Sequence, residues 1–445
     1  MLTKIRFYIS IIIAHCTYLA IKLRNKSSGT SFVGLLTLKY NPDFLKYCQK
    51  YIENEVVTIT GTNGKSTTSG LVAHFLKNGN KSILHNLKGA NMLTGIANVF
   101  ALNIKPFKKF DYAVLETDEA YLAKLYDNLE ANILIVTNLF RDQLDRYGEL
   151  NTTAEFIKSG IKKNPNLKLI LNADDPIVRT FDEYGNAIFY GFKDVEYKFN
   201  CHQNSNAPSE IFNCKCGNEL KYDKQFFAQQ GHYYCDKCDY KRPDCNYEAV
   251  AEIYQEYSIL KINYEGKVDE FKTNLTGLYN AYNALSAIVF ALENGLKKDE
   301  IQASLNTFKA IFGRTEKREI NGHPTVIQLI KNPTGASEVL KTVDLNSNII
   351  VAINDNYADG RDISWLWDSD FEQLQNAQKT IVASGTRAND VATRLKYAGL
   401  SPSKIIIEPN LKKAIGLLSK EADNNDKITI LPSYTALLKI NQEKL

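Results

Sequence analysis

Short, uninterrupted apolar runs punctuate the chain. Across residues 55–175, "VVTIT", "YAVLE", "ILIVTN" and "LKLILNADD" are rich in β-branched residues and separated by stretches of helical length. Runs of this kind suit strands buried on both faces, and their alternation with helices predicts a parallel sheet wrapped by helices. Functional groups should then collect at the carboxyl ends of the strands. Residues 200–246 break the rhythm with Cys, Lys, Asn and Tyr, which predicts an inserted module. "NAYNALSAIVFALENGL" follows as a helix. The α/β alternation then resumes with "NIIVAIND", "KTIVASG", "KIIIEP" and "KITILPS". The expected fold is therefore α/β: an N-terminal helix and lead-in over 1–50, a central parallel-sheet domain over 51–312 carrying the insertion at 200–246, and a smaller C-terminal α/β domain over 313–445.

The first element is ambiguous by pattern. "FYISIIIAHCTYLAI" runs uncharged behind Lys4 and Arg6, in the charge order of a signal peptide, but no clear small-x-small cleavage site follows. The run is shorter than the roughly 20 residues that span a bilayer. Ile9, Ile12, Ile13, Cys16, Leu19, Ala20 and Leu23 recur at helical spacing, which predicts an amphipathic helix docked on the protein. A helix on a membrane surface is the second reading.

Composition narrows the class. With 445 residues, 44% hydrophobic and 23% charged, the chain can bury sizeable cores, and a net charge of +4 gives no argument for nucleic acid. Four of the eight cysteines, Cys214, Cys216, Cys235 and Cys238, fall in one 25-residue window. Paired cysteines in a chain with a nucleotide loop suggest metal in a reducing compartment, hence the cytoplasm. Four thiolates suit tetrahedral Zn²⁺, and Cys235-x-x-Cys238 has the spacing of a zinc-ribbon knuckle. Cys214-x-Cys216 is one residue tighter than usual, which leaves Cys201 and Cys245 as alternative ligands. Scattered lysines and a position inside a nucleotide-binding domain favour a structural insertion over a nucleic-acid reader.

"VVTITGTNGKSTTSGLV" carries the clearest chemistry. A strand is followed by a glycine loop and a helix. Gly61 and Gly64 permit a tight turn whose N–H groups converge on phosphate. Lys65 adds a charge for the β- and γ-phosphates, the helix start favours anions, and Ser66 is placed for Mg²⁺.

The first glycine of the common P-loop is Ile59 here. The form G-T-N-G-K-S-T instead resembles the Mur ligase superfamily, ATP-dependent enzymes that join amines to carboxylates. Further segments agree in order: "LETDEA", "TNLFRDQLDRYG", "LNADDP", "TGLYNAYNALSA" and "GRTEKRE". The resemblance implies that Gly61, Thr62, Asn63, Gly64, Lys65, Ser66 and Thr67 bind ATP, together with Asn138, Asn280 and Asn283. It also implies that Glu116 joins Ser66 on Mg²⁺ and that Arg314 contacts ATP phosphate. Lys65, Glu116 and Arg314 would thus act in catalysis. There are departures: Gln143 stands where the superfamily has a metal-associated histidine, Tyr279 replaces a common histidine, and the superfamily's carbamylated lysine would fall near Ile157 or Lys158, where no lysine aligns cleanly. These residues therefore leave the superfamily's second metal site open.

"LLTLKYNPDFL", "KNPTGASEV", "NDNYADGRDISWLWD", "SGTRANDVATRLKYAG" and "LPSYTALL" narrow the resemblance to the Mur-ligase-like subunits of lipid II isoglutaminyl synthases. That family implies ATP-dependent amidation of the D-glutamate α-carboxylate of lipid II at the inner face of the cell membrane, with ammonia from a GatD-like glutaminase subunit. It also implies that Asp355 orients the partner's catalytic histidine. The dense loop after it, with Asp359, Arg361, Asp362, Trp365 and Trp367, reads as a capped turn over packed aromatics. Competing readings are a Mur-type ligase adding an amino acid to a peptidoglycan precursor or folate, and a nucleotide-binding zinc-ribbon adaptor without catalysis.

Overall fold

In the computed structural model, which describes residues 2–23, 30–86, 90–106, 108–140, 150–199, 213–309, 314–421 and 426–442, the apolar runs become strands of two sheets. The larger contains β1 (Ile52–Thr60), β2 (Ile83–His85), β3 (Phe110–Glu116), β4 (Ile133–Val136), β5 (Lys168–Asn172) and β6 (Asn186–Tyr197). After the hairpin β7 (Lys221–Phe227) and β8 (Gln230–Tyr234), it is completed by β9 (Tyr247–Ile253), β10 (Ser258–Tyr264) and β11 (Lys267–Thr273). Its order is β11-β10-β9-β6-β5-β4-β1-β3-β2.

Seven of these strands pair in parallel as expected, but β9, β10 and β11 form an antiparallel edge. Burial explains the difference. All four residues of β4 are buried, whereas β9 buries Tyr247, Ala249, Ala251 and Ile253 in strict alternation. A strand with one wet face needs no crossover helix, so a hairpin suffices. The parallel expectation, drawn from the runs of residues 55–175, holds for their strands and did not reach this edge.

The helices are α1 (Leu2–Leu23), α2 (Thr30–Tyr40), α3 (Phe44–Cys48), α4 (Lys65–Asn78), α5 (Leu93–Asn103), α6 (Leu122–Tyr126), α7 (Leu150–Lys163), α8 (Leu278–Glu293) and α9 (Lys298–Thr307). One core lies between the sheet and α4, α8 and α9, with Leu71, Phe75, Leu285 and Phe290 at 0% exposure. The opposite core takes Phe44, Ile96, Phe100, Leu122 and Ile157 from the helices on the other face. Within β1, Val57 and Ile59 serve the first core and Val56 the second.

α1 docks as expected, but through the other stripe. Phe7 stacks on Phe44 at 5.0 Å, and Ala14 and Ser10 are buried beside it. Ile9, Ile12, Cys16, Leu19, Ala20 and Leu23, taken from the sequence as the docking face, are exposed. Both stripes are apolar, so periodicity finds the helix without choosing its inner side.

The smaller sheet comprises β12 (Arg314–Ile320), β13 (His323–Gln328), β14 (Asn348–Ala352), β15 (Ile381–Ser384), β16 (Ile405–Ile407) and β17 (Ile428–Pro432), in the order β12-β13-β17-β14-β15-β16. Only the β12–β13 hairpin is antiparallel within it. α10 (Pro333–Lys341) and α11 (Ala388–Tyr397) pack on one face, α12 (Leu411–Glu421) and α13 (Tyr434–Gln442) on the other.

Candidate functional site

β1 lies where the sheet order reverses. The chain leaves it for β2 and β3 on one side, then crosses to β4 on the other. The crevice beyond such a point is where open α/β sheets receive ligands. The loop from Gly61 to Gly64 occupies it. Gly61 has φ +122° and Gly64 φ +89°, both disfavoured for side-chain-bearing residues. A Cβ on Gly61 would sit 2.3 Å from Thr137 Oγ1, and one on Gly64 2.0 Å from Asn283 Oδ1. Backbone conformation and close approach both require glycine at these two positions.

The loop is braced from β4. Thr62 N donates to Asn138 O at 2.8 Å and Asn63 N to Asn138 Oδ1 at 2.9 Å, while Asn138 Nδ2 donates to Asn63 O at 3.1 Å. Thr137 Oγ1 also donates to Asn63 O, at 2.7 Å. Asn138 thus spends its side chain on the loop backbone. Asn280 and Asn283 are both buried in α8; Asn283 stands against Gly64, and Asn280 accepts from Asn283 Nδ2 at 3.4 Å and donates through Nδ2 to Thr276 O. The first intrahelical bond of α4 is Thr68 N to Gly64 O, at 2.9 Å. The N–H groups of Lys65, Ser66 and Thr67 therefore precede the helix's own acceptors and are available to an anion.

Two carboxylates meet the loop's side chains. Ser66 Oγ donates to Glu116 Oε2 at 2.6 Å, and Asn86 holds Glu116 through both its backbone N–H (2.8 Å) and C=O (2.7 Å). A hydroxyl and a carboxylate in contact beside a phosphate loop are the donor set a small hard cation takes. Lys65 Nζ lies 2.9 Å from Glu119 Oε1 and also donates to Gly61 O. Glu119 accepts from Gly61 N at 3.0 Å. Burial works against the Lys65 charge, but the attraction of Glu119, with Glu116 and Asp118 behind it, outweighs it and raises the ammonium above its ordinary value. Sequence reasoning passed over Glu119, because "TDEA" looks like any acidic helix start; the buried strand ahead of it was the available signal.

The loop also touches the smaller sheet's unit. Asn332 caps α10 by accepting from Gly335 N at 2.8 Å, and its Nδ2 donates to Asn63 Oδ1 at 3.1 Å. Arg314 opens β12 opposite Gln328; its side chain lies outside the described residues, as do Gln143 and Cys201. Ile157 is in the core, and Lys158 pairs with Glu155 along α7.

"LNADDP" has a structural role. Asp174 pairs with Arg242 at 2.6 Å and accepts from Tyr282 Oη at 2.7 Å and Phe192 N at 2.8 Å. Asp175 accepts from Leu139, Ile177 and Val178 N–H groups, and burial pushes its carboxyl up to about 6. Through Arg242, Asp174 anchors the cysteine module to the sheet. The module's four Sγ atoms lie within 4.8 Å of one another, and Asn218 Nδ2 donates to Cys216 Sγ at 3.2 Å, drawing that thiol down to about 6. Tetrahedral Zn²⁺ with thiolates at about 2.3 Å would separate the sulfurs by somewhat under 4 Å, so these four fit it. Cys245 is outside the cluster. Phe227 of the hairpin packs on Phe140 at 5.4 Å, and Phe140 N in turn donates to Thr62 Oγ1 at 3.0 Å. The module thereby supports the phosphate loop from behind.

At the end of β14, Asp355 accepts from Thr386 Oγ1 at 2.8 Å and pairs with Arg387 Nη2 at 2.7 Å. Thr386 first, and Arg387 after it, hold this carboxyl below its usual range. Asp359 caps the loop by accepting from Thr435 N at 2.7 Å, and Asp362 accepts from Ser364 N. Trp365 packs on the core, as the capped-turn reading expects, whereas Trp367 is 54% exposed and rests edge-on against Tyr397.

The Mur ligase middle domain matches residues 59–291 and the MurT ligase C-terminal unit residues 329–437. The chain belongs to the MurT family of Mur ligases. It is thus an ATP-dependent ligase by family. The lipid II isoglutaminyl synthase (glutamine-hydrolyzing) subunit MurT of Streptococcus pneumoniae is 34% identical over 93% of this chain and 92% of its own. The MurT subunit of Staphylococcus aureus is 34% identical over 94% of each. Among solved structures, a pseudomurein peptide ligase type C from Methanothermus fervidus matches with TM-score 0.66 and 25% identity, covering 92% of this chain and 84% of its own. The Mur ligase family implies ATP and Mg²⁺, and the loop, Ser66 and Glu116 suit them.

Proposed function

We propose that this chain amidates the α-carboxylate of D-glutamate in the stem peptide of lipid II, giving D-isoglutamine, as the ATP-dependent half of a pair with a glutaminase subunit. The observation that carries the reading is one chain holding both a Mur-type phosphate loop and a MurT-type C-terminal unit, in contact through Asn63 and Asn332. The names of its relatives supply the substrate.

A carboxylate is a poor electrophile until one oxygen becomes a good leaving group. Its oxygen attacks the γ-phosphorus of ATP, ADP departs, and an acyl phosphate results. Ammonia then attacks the carbonyl carbon; the C–N bond forms, phosphate leaves and a proton is lost. Mg²⁺, held by Ser66 and Glu116, would neutralise phosphate charge. The N–H groups of residues 65–67 and the Lys65 ammonium, moved from Glu119 to phosphate, would stabilise the charge in transfer. Arg314 would join them at the junction of the two larger units. Asn138, Asn280 and Asn283 shape the cradle. Asp355 would hold the partner's catalytic histidine in the tautomer that activates its cysteine.

The four-cysteine module is read as a structural zinc ribbon, checked by metal content before and after Cys235→Ser. Lipid II places the work at the cytoplasmic face of the membrane, and no nucleic acid is involved. The units 1–50, 51–312 with its insertion at 200–246, and 313–445 are the proposed domains.

The test is ADP release by the purified chain with lipid II, Mg²⁺ and ammonium chloride, with mass spectrometry of the lipid product. A product lighter by the difference between OH and NH₂ is expected. ADP release with an amino acid added instead would overturn amidation in favour of a conventional Mur ligase.

A further inference from the structure

α1 presents two opposed apolar stripes. Phe7, Ala14 and Ile21 face the body, where Phe7 stacks on Phe44 and Tyr51 and Tyr8 Oη meets Tyr51 Oη at 3.2 Å. On the other side, Ile5, Ile9, Ile12, Cys16, Leu19 and Leu23 succeed one another at steps of four and three residues, all exposed. Ile12 is 61% exposed, Leu19 56% and Leu23 86%. A surface helix ordinarily turns a polar face outward, so a continuous apolar stripe there marks something it binds. Phe32 and Leu35 of the adjoining α2 are exposed as well.

Charge identifies the occupant. The first 42 residues contain six Lys and Arg and no Asp or Glu. The chain's net +4 is therefore +6 in this segment and −2 over the remaining 403 residues. An apolar stripe set among basic residues alone is what an anionic lipid surface attracts. By length and composition Lys4–Leu23 could also cross a bilayer. Its inner stripe is committed to α3 and Tyr51, however, and Arg6 donates to Tyr40 O, so crossing would strip α1 from the core. We propose that the outer stripe of α1 beds into the surface of an anionic bilayer and holds the ligase against it in plane.

The test is flotation of the full chain with phosphatidylcholine vesicles, with and without phosphatidylglycerol, beside the variant Ile12→Glu/Leu19→Glu. Those side chains face outward, so the variant's circular dichroism and melting should match the parent. Expected is binding to the phosphatidylglycerol vesicles, released by alkaline carbonate, and weakened by about tenfold or more in the variant. Failure of the parent to float, equal binding by the variant, or equal binding to both vesicle types would overturn the proposal. So would resistance to carbonate, which would make α1 a span. If the variant instead lost self-association or capture of the glutaminase, the stripe would belong to a protein partner. The assay needs neither lipid II nor turnover, so it can fail while the amidation reading stands.

Discussion

The two proposed sites lie at strand ends that look alike in topology and differ in completeness. β1 and β14 are both central parallel strands flanked by neighbours reached in opposite directions. At the end of β1 nearly every side chain is turned inward and answered within the chain: Asn138 on Asn63, Glu119 on Lys65 and Gly61, Asn86 on Glu116. At the end of β14 the Asp355 side chain is a quarter exposed, and its partners Thr386 and Arg387 reach it from an open surface. A preorganised cradle fits chemistry that one chain performs on its own. A carboxylate kept ionised at a rim fits half of a site that a second chain completes.

Removing Lys65 should break the comparison most severely. Lys65→Ala takes away a cation that phosphoryl transfer needs, so ADP release and amidation should fall by about 10⁴-fold with glutamine and with ammonium alike. Asp355→Asn should separate the two sites. Glutamine-dependent amidation should fall by about 10²-fold, while the rate with ammonium stays near the parent's. Equal loss with both nitrogen sources would show that Asp355 serves the fold or the ligase step, and the contrast between the sites would collapse.

The cradle was far more legible in the sequence than the groups that tension it. Gly61, Gly64, Lys65 and Ser66 stand at fixed spacing because backbone geometry and phosphate chemistry leave few alternatives, and the four cysteines are local for the same reason. Glu119 and Asn332 lie inside the quoted segments "LETDEA" and "KNPTGASEV", but they are far from the loop in sequence and meet it only through folding, so neither segment announces that contact. The "LNADDP" carboxylates illustrate the converse: a segment that carries the superfamily resemblance, yet its Asp174 is occupied by Arg242, Tyr282 and Phe192 within the chain. α1 failed in a third way. Its periodicity is genuine on both sides, and only burial distinguishes the stripe packed on Phe44 from the one left outside.

Glu119 offers a sharper test of what "complete" means at the first site. In Glu119→Gln the buried Lys65 ammonium keeps a hydrogen-bond acceptor and loses its counter-charge. The nucleotide-free protein should be destabilised by about 3 kcal/mol, in the range for breaking a buried pair. ATP would restore a negative partner, so the rise in Tm on adding MgATP should be larger in the variant than in the parent. An unchanged rise would mean that Lys65 stays on residue 119 when nucleotide is bound.

The smallest effect should come from the side-chain bridge that joins Asn63 to Asn332 between the two sites' units. Asn332 has two tasks, capping α10 through Oδ1 and reaching Asn63 through Nδ2. Serine retains a cap acceptor but is too short for the second task, so Asn332→Ser separates them. Stability should change little, while kcat/KM for ATP should drop by about fivefold, the equivalent of one hydrogen bond of about 1 kcal/mol. The loss should be the same with ammonium and glutamine, because the bridge ends on the phosphate loop and not on Asp355. A loss confined to glutamine would instead place the bridge on the path between the sites, and the cradle at β1 could no longer be regarded as closed without its neighbour.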